Sequence, residues 1–203
     1  MIRPRIGLAA GAAAVLSACS EQAGEAQPPV PARQASTVLA GGCFWCTESD
    51  FDKVPGVFAT VSGYSGGKLP RPTYEQVSAG RTGHIESVRV SYDPARVSYA
   101  QLVRTLLHSV DAADGGGQFC DRGPQYRSAI FVADETQRRI AEAEIARAEA
   151  ELGQKVATLV LPAARFWPAE AYHQNYHRKN PARYNFYRWN CGRDQRLKAL
   201  WKR

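Results

Sequence analysis

The sequence predicts an α/β protein, a two-layer sandwich with helices on one face of a mixed sheet. Three observations carry that prediction. Short apolar, partly β-branched runs alternate with segments of helical period; Gly and Pro punctuate the junctions; and no apolar run reaches the length of a membrane span. With 203 residues, 44% hydrophobic and 22% charged, the chain suits one globular domain with extra length at its ends. Four Trp, nine Tyr and seven Phe supply material for a sizeable core.

Residues 36–40 are short and apolar and end at Gly41-Gly42, a strand signal. Residues 43–54 contain no Gly or Pro, and Phe44, Glu48 and Phe51 recur at helical spacing before Pro55-Gly56 stops the helix. A strand over 57–64 closes at Ser65-Gly66-Gly67; the Pro- and Gly-rich stretch to Gly83 reads as loop, with a helical turn near Tyr74. Residues 85–92 alternate as a strand and end at Asp93-Pro94. Ser98-Tyr99-Ala100-Gln101 is a capping box that opens a helix to about Val110. After Gly115-Gly116-Gly117 comes a strand over 128–132. Asp134 then caps a long helix carrying Ile140, Ile145 and Leu152, which Gly153 ends. A last strand over 156–161 precedes a basic, irregular tail. The order β-α-β-β-α-β, then helix and strand, is that of the split βαβ, ferredoxin-like arrangement.

The two ends read differently from this core. Arg3 and Arg5 precede an apolar stretch from Ile6 to Leu16, followed by small residues and no acids, so residues 1–18 have the pattern of an export signal. Leu16-Ser17-Ala18-Cys19 resembles the lipobox of bacterial lipoproteins, whose cysteine is acylated and becomes the mature N-terminus. The alternative is an ordinary cleaved signal with a chance cysteine. Residues 19–35, with Pro28, Pro29 and Pro31, read as a flexible tether to a catalytic domain over 36–203. The lipobox resemblance implies a periplasmic protein anchored to a membrane through lipid on Cys19. From Arg165 to Arg203 ten Lys and Arg face only Glu170 and Asp194, a share of the formal charge of +7. No nucleic-acid motif accompanies that charge, so a solvated basic surface over an aromatic core is expected, with no nucleic-acid partner.

Two residues point to chemistry. Cys43 follows strand–Gly–Gly and opens a helix, where free backbone N–H groups and the positive end of the dipole favour a thiolate, the form that attacks. A buried structural cysteine fits the same position. Glu86 shares a side of its strand with Val88, Val90 and Tyr92, opposite Ser87, Arg89 and Ser91, so its carboxyl faces the core. Burial disfavours the charged form and leaves an acid that donates a proton near neutral pH. The competing placement is at the strand end, with the carboxylate in water.

Around these residues, Gly41-Gly42-Cys43-Phe44-Trp45-Cys46-Thr47-Glu48 resembles the signature of the peptide methionine sulfoxide reductase A family. Gly63-Tyr64-Ser65-Gly66-Gly67, Pro72-Thr73-Tyr74, Gly83-His84-Ile85-Glu86, Tyr92-Asp93-Pro94, Asp121 with Gln125-Tyr126-Arg127-Ser128, and Phe166-Trp167 with Glu170 and Tyr172-His173-Gln174 agree in order and spacing. The resemblance runs from about residue 37 to about 176 and implies an α/β sandwich. It implies that Cys43 attacks the sulfoxide sulfur and that protonated Glu86 donates to the oxygen, helped by Tyr74 and Tyr126. Phe44 and Trp45 would accept the methyl group and Asp121 would position the substrate. It further implies oxidised methionine in proteins and peptides as substrate, the S epimer at sulfur, and a thioredoxin-like reductant. The chemistry needs these types: sulfoxide oxygen leaves only once protonated, and the sulfenic acid left on Cys43 condenses with a second thiol. No cofactor and no metal ligand is assigned.

The second thiol stays open. Cys46 sits one helical turn from Cys43, within disulfide reach. Cys191 lies in the tail, where the family often places a recycling cysteine, and Cys120 adjoins Asp121. The expectation is a Cys43–Cys46 disulfide after turnover. A thioredoxin-like oxidoreductase would share the C-x-x-C at a helix start but not the glutamate–tyrosine set. A zinc site from Cys43, Cys46, His173 and His177 would need ligand pairs far apart in sequence. A lipid-anchored binding module would tolerate loss of Cys43.

Overall fold

The computed structural model describes residues 33–202; the expected export signal and Cys19 lie outside the described residues. β1 (Ala35–Gly41) leads into α1 (Phe44–Phe51), β2 (Val57–Ser65), α2 (Tyr74–Ser78), β3 (Ile85–Tyr92) and α3 (Tyr99–Ser109). A small hairpin, β4 (Gly117–Gln118) and β5 (Asp121–Arg122), and a 3-10 turn at Pro124–Tyr126 precede β6 (Ser128–Val132) and α4 (Glu135–Leu152). Then come β7 (Leu159–Pro162), β8 (Trp167–Pro168), α5 (Tyr176–Lys179), α6 (Pro181–Asn190) and α7 (Arg193–Leu200).

The main sheet runs β7-β6-β1-β3-β2-β8. β3 lies antiparallel between β1 and β2, and β6 pairs antiparallel with the other edge of β1, the predicted split βαβ arrangement. β7 joins parallel to β6, which makes the sheet mixed. Strand alternation sorts the side chains. Leu39, Val88, Val90, Tyr92, Ile130 and Val132 share one cluster with Phe44, Phe51, Leu102, Leu106 and Leu107 of the helices. Ala40, Ile85, Ala129 and Phe131 form a smaller cluster on the reverse face. Each fully buried Leu or Phe contributes roughly 1.5–3 kcal/mol of transfer free energy, so the larger cluster dominates the fold's stability. The capping box at the start of α3 is present, with Ser98 N–H donating to Gln101 Oε1 at 2.8 Å and Gln101 N–H donating to Ser98 Oγ at 3.2 Å.

Three boundaries differ from the sequence expectation. α1 ends at Phe51 rather than Val54, because the Val54 amide closes a tight turn onto Phe51 O at 3.0 Å. The last core strand begins at Leu159, three residues late by the sequence estimate, with residues 155–158 unpaired as strand. The tail is not irregular: it holds three helices. Pro181 opens α6, where a missing N–H costs nothing. Tertiary partners hold the rest. Arg188 reaches Asp50 at 2.9 Å, Arg196 reaches Asp111 at 2.6 Å, and Leu197, Leu200 and Trp201 pack on the main core.

The turn between β1 and α1 depends on Gly42. Its φ is +82°, and a Cβ there would stand 2.5 Å from Gln118 Cβ, so only glycine lets the β4–β5 hairpin close over the end of β1. That closure brings Asp121 near Cys43.

Candidate active site

β1 delivers Cys43 to the N-terminal end of α1, and β3 delivers Glu86 to the same end from the neighbouring strand. Glu86 points to the helix side, 1% exposed, not past the sheet into water. The first free amide of α1, Phe44 N–H, donates to Glu86 Oε2 at 2.9 Å. Burial pushes the Glu86 carboxyl up to about 8, against the pull of the Phe44 hydrogen bond and with help from the nearby Asp121 and Cys46. Desolvation wins, and the carboxyl is neutral near neutral pH. Because the folded pKa lies above the ordinary one, this group's contribution to stability is complete below the usual carboxylate range and is lost as pH rises through about 8.

The thiols correct the expectation that Cys43 itself rests as the thiolate. Cys43 caps α1 without a side-chain hydrogen bond to the helix. Burial pushes the Cys43 thiol well up, reinforced by its hydrogen bond with Cys46 and by the fields of Cys46, Glu86 and Asp121. The same hydrogen bond draws Cys46 down to about 7 against its own burial, helped by Arg193 and Arg188. Of the two thiols, Cys46 is the one drawn toward the charged form and Cys43 the one held protonated. Neither sulfur is in a disulfide. Cys43 is only 7% exposed.

Tyr74, at the start of α2, and Tyr126 both lie in the fields of Glu86 and Cys43. Burial raises both phenols, Tyr74 to about 12, so both hydroxyls stay protonated donors. Phe44 packs 4.9 Å from the His173 ring and 5.8 Å from Tyr64. Trp45 donates its indole N–H to His173 Nδ1 at 3.0 Å and stacks flat on Tyr176 at 3.7 Å. His173 is thus committed to Trp45, while His177 Nε2 faces Asp52 at 3.4 Å, so the two histidines do not converge with the cysteines. Among the described residues, no group of three or more His, Cys, Asp or Glu comes together as a metal site.

The tail packs against this site. Tyr187 of α6 donates to Asp121 Oδ2 and packs edge-on against Trp45, and the charges of Cys43 and Cys46 act on its phenol. Arg193, fully buried, donates to Ser109 O at 2.6 Å and to Gly41 O at 3.3 Å and lies over the Phe119 ring. Cys191, a candidate partner of Cys43 by sequence, is instead bonded to Cys120. The β4–β5 hairpin and the end of α6 meet there, and chain order gave no sign of it. Tyr187, Arg188 and Arg193 were not singled out in the sequence, and His173 was considered there only as a metal ligand and as part of a motif. Their partners lie far away along the chain, and only Tyr172-His173-Gln174 belonged to a quoted motif. Glu48 was likewise given no role. It is buried on α1, raised by that burial to about 7, and accepts from Asn175 N–H at 2.9 Å.

A buried thiol pair beside a neutral carboxyl and two phenol donors defines a thiol-dependent reductase of an oxygen-bearing substrate. The family profile described as Peptide methionine sulfoxide reductase matches residues 35–203. The Rhizobium meliloti protein called Peptide methionine sulfoxide reductase MsrA 2 is 54% identical over 85% of this chain and 87% of its own. The Caulobacter vibrioides protein of the same name is 47% identical over 98% of this chain and 99% of its own. Methionine sulfoxide reductase A of Corynebacterium diphtheriae superposes with a TM-score of 0.65 at 36% identity, over 73% of this chain and 76% of that one. The chain belongs to the peptide methionine sulfoxide reductase family, in its A branch. It is an oxidoreductase, and its activity is the reduction of methionine sulfoxide.

Glu86→Gln keeps an acceptor for Phe44 N–H and removes the acid. The single-turnover rate is expected to fall by about a hundredfold or more. In the unsubstituted protein that rate should decline as pH rises through about 8, and the variant should lack this limb. An unchanged single-turnover rate in Glu86→Gln would remove Glu86 from the chemistry.

Proposed function

We propose that this chain repairs S-epimer methionine sulfoxide in oxidised proteins and peptides, and in free methionine, through Cys43, Glu86 and a Cys43–Cys46 disulfide. The observation that carries the mechanism is the neutral carboxyl one hydrogen bond from the residue after Cys43. Cys43 passes its proton to the Cys46 thiolate and attacks the sulfoxide sulfur, while Glu86 gives its proton to the oxygen. The Cys43 Sγ–S bond forms as the S–O bond breaks and hydroxide leaves; the hydroxide then attacks Cys43 Sγ, the bond to the methionine sulfur breaks, methionine leaves and Cys43 holds a sulfenic acid. The Cys46 thiol displaces hydroxide as water, and the Cys43–Cys46 disulfide forms. The sum is two thiols and a sulfoxide giving a disulfide, a thioether and water, with Glu86 reprotonated from solvent. Tyr74 and Tyr126 steady the oxygen, Phe44 and Trp45 take the methyl group, and Asp121 aligns the substrate once Tyr187 releases it.

A dithiol protein of thioredoxin type then restores the thiols. The structural neighbour Mxr1 from Saccharomyces cerevisiae is described in complex with Trx2, but at 21% identity that likeness speaks to the fold alone. The class of reductant rests here on the chemistry, since a disulfide returns to thiols by exchange with another dithiol. We also place the protein in the periplasm as a lipoprotein acylated on Cys19, supported by Arg3, Arg5, the apolar stretch to Leu16 and the Leu16–Cys19 box.

Cys43→Ser is expected to abolish turnover of a methionine sulfoxide peptide; retained activity in that variant excludes the mechanism. In cell fractionation, Cys19→Ser should move the protein from membrane to soluble fractions. Membrane association that survives the substitution would argue against the lipid anchor.

A further inference from the structure

The fold uses one side of α6 and leaves the other in water. Tyr184 and Tyr187 turn inward and pack with Cys46, Trp45 and Tyr176, and Arg188 turns inward to Asp50 at 2.9 Å. At a period of 3.6 residues, Ala182, Arg183, Phe186, Trp189 and Asn190 share the outward side, and all of them are exposed. Phe186 is 65% and Trp189 66% exposed. Their rings stand 6.0 Å apart, and neither belongs to a core cluster. A single apolar side chain at a surface needs no account, but a Phe and a Trp side by side form a patch that core packing does not explain. The charge around the patch has one sign. From Ala171 to Arg193 the chain holds no Asp or Glu. Arg178, Lys179 and Arg183 are exposed at or just before the start of α6. Arg178 meets Asp52 at 3.0 Å, but Lys179 donates to a carbonyl, Ala171 O at 3.1 Å, and Arg183 has no ion-pair partner among the described residues. Asp194, the next acid along the chain, is held by Arg188 at 2.7 Å.

We propose that the outward face of α6 docks on an anionic lipid surface, with Phe186 and Trp189 among the headgroups and Lys179 and Arg183 on lipid phosphate. Aromatic rings and basic side chains on one side of one helix match the boundary layer of a bilayer, which accepts rings at headgroup depth and holds negative charge just above them. The absence of acids along the segment removes the repulsion that would oppose that approach. The face is also separate from the contacts made at the site. Tyr187, which bonds Asp121 and packs on Trp45, leaves the helix on another side, so lipid on Phe186 and Trp189 does not compete for those partners. The inference uses neither the chemistry at Cys43 nor lipid on Cys19. An acyl chain would hold the protein at a membrane in any orientation; this face selects one.

The test reads contact between Trp189 and lipid. Full-length protein is mixed with vesicles of phosphatidylcholine, or of phosphatidylcholine with about a third phosphatidylglycerol, each with and without bromine on the acyl chains. Quenching of tryptophan fluorescence by the brominated lipid is compared between the unsubstituted protein and Trp189→Phe. Both carry the same N-terminal segment, so any binding through residues 6–16 or an acyl chain is common to them. The expected result is a quenched component in the phosphatidylglycerol vesicles that Trp189→Phe lacks. Arg183→Gln should weaken the docking about fivefold, and added salt should weaken it further. Turnover of free methionine sulfoxide by Trp189→Phe and Arg183→Gln should match that of the unsubstituted protein, which shows that both are folded. Absence of a Trp189 component in every vesicle overturns the proposal, and equal quenching with and without phosphatidylglycerol overturns the anionic recognition it rests on. Self-association that Phe186→Ser abolishes, with no quenching by lipid, would make a second copy of the chain the occupant and overturn it as well.

Discussion

The hydrogen bond from Phe44 N–H to Glu86 joins the two halves of the chemistry, and much of the fold exists to make it. It spends the first free amide of α1 on a carboxyl from the adjacent strand, so that amide is not available to the Cys43 sulfur. It also satisfies one oxygen of a carboxyl that would otherwise be buried without a partner. The bond alone would lower the carboxyl's pKa. Burial opposes it and prevails, leaving an acid that is aligned but still protonated. The antiparallel register of β1 with β3 brings the two residues together at one end of the sheet.

With that amide engaged, the cysteines settle their charge between themselves. The helix start, which by itself favours a thiolate at Cys43, gives way to an environment in which burial raises Cys43 while the hydrogen bond between the two thiols, helped by Arg193 and Arg188, lowers Cys46. The attacking sulfur is thus buried and held as a thiol. Positioning and protonation both depend on residues of α6 and α7, so the tail belongs to the site. It is more than the basic surface it first suggests.

How far the chain could be read in advance divides along the same line. The strands and helices of the core were legible, because alternation in residues 85–92 and the capping box at Ser98 are local signals that tertiary packing reinforced. Cys43 and Glu86 could be singled out from period and helix position alone. Tyr74, Tyr126, Phe44, Trp45 and Asp121 came from resemblance, since an aromatic in a core and an aromatic in a cleft share one local pattern. The tail's helices were missed. Their stability comes from Asp50, Asp111 and Trp45, residues of distant segments, and their own composition gave charge without a clear apolar face. The Cys120–Cys191 pairing and the help that Arg193 and Arg188 give in lowering Cys46 were out of reach for the same reason: each depends on contacts between parts of the chain that sequence order keeps apart.

The central claim is that Glu86 is a neutral acid in the folded protein near neutral pH. Infrared difference spectra between the unsubstituted protein and Glu86→Gln test it without reference to turnover. The account predicts a protonated-carboxyl C=O band that belongs to Glu86 near neutral pH and fades as pH passes about 8. Only carboxylate bands from Glu86, already at mildly acidic pH, would contradict it.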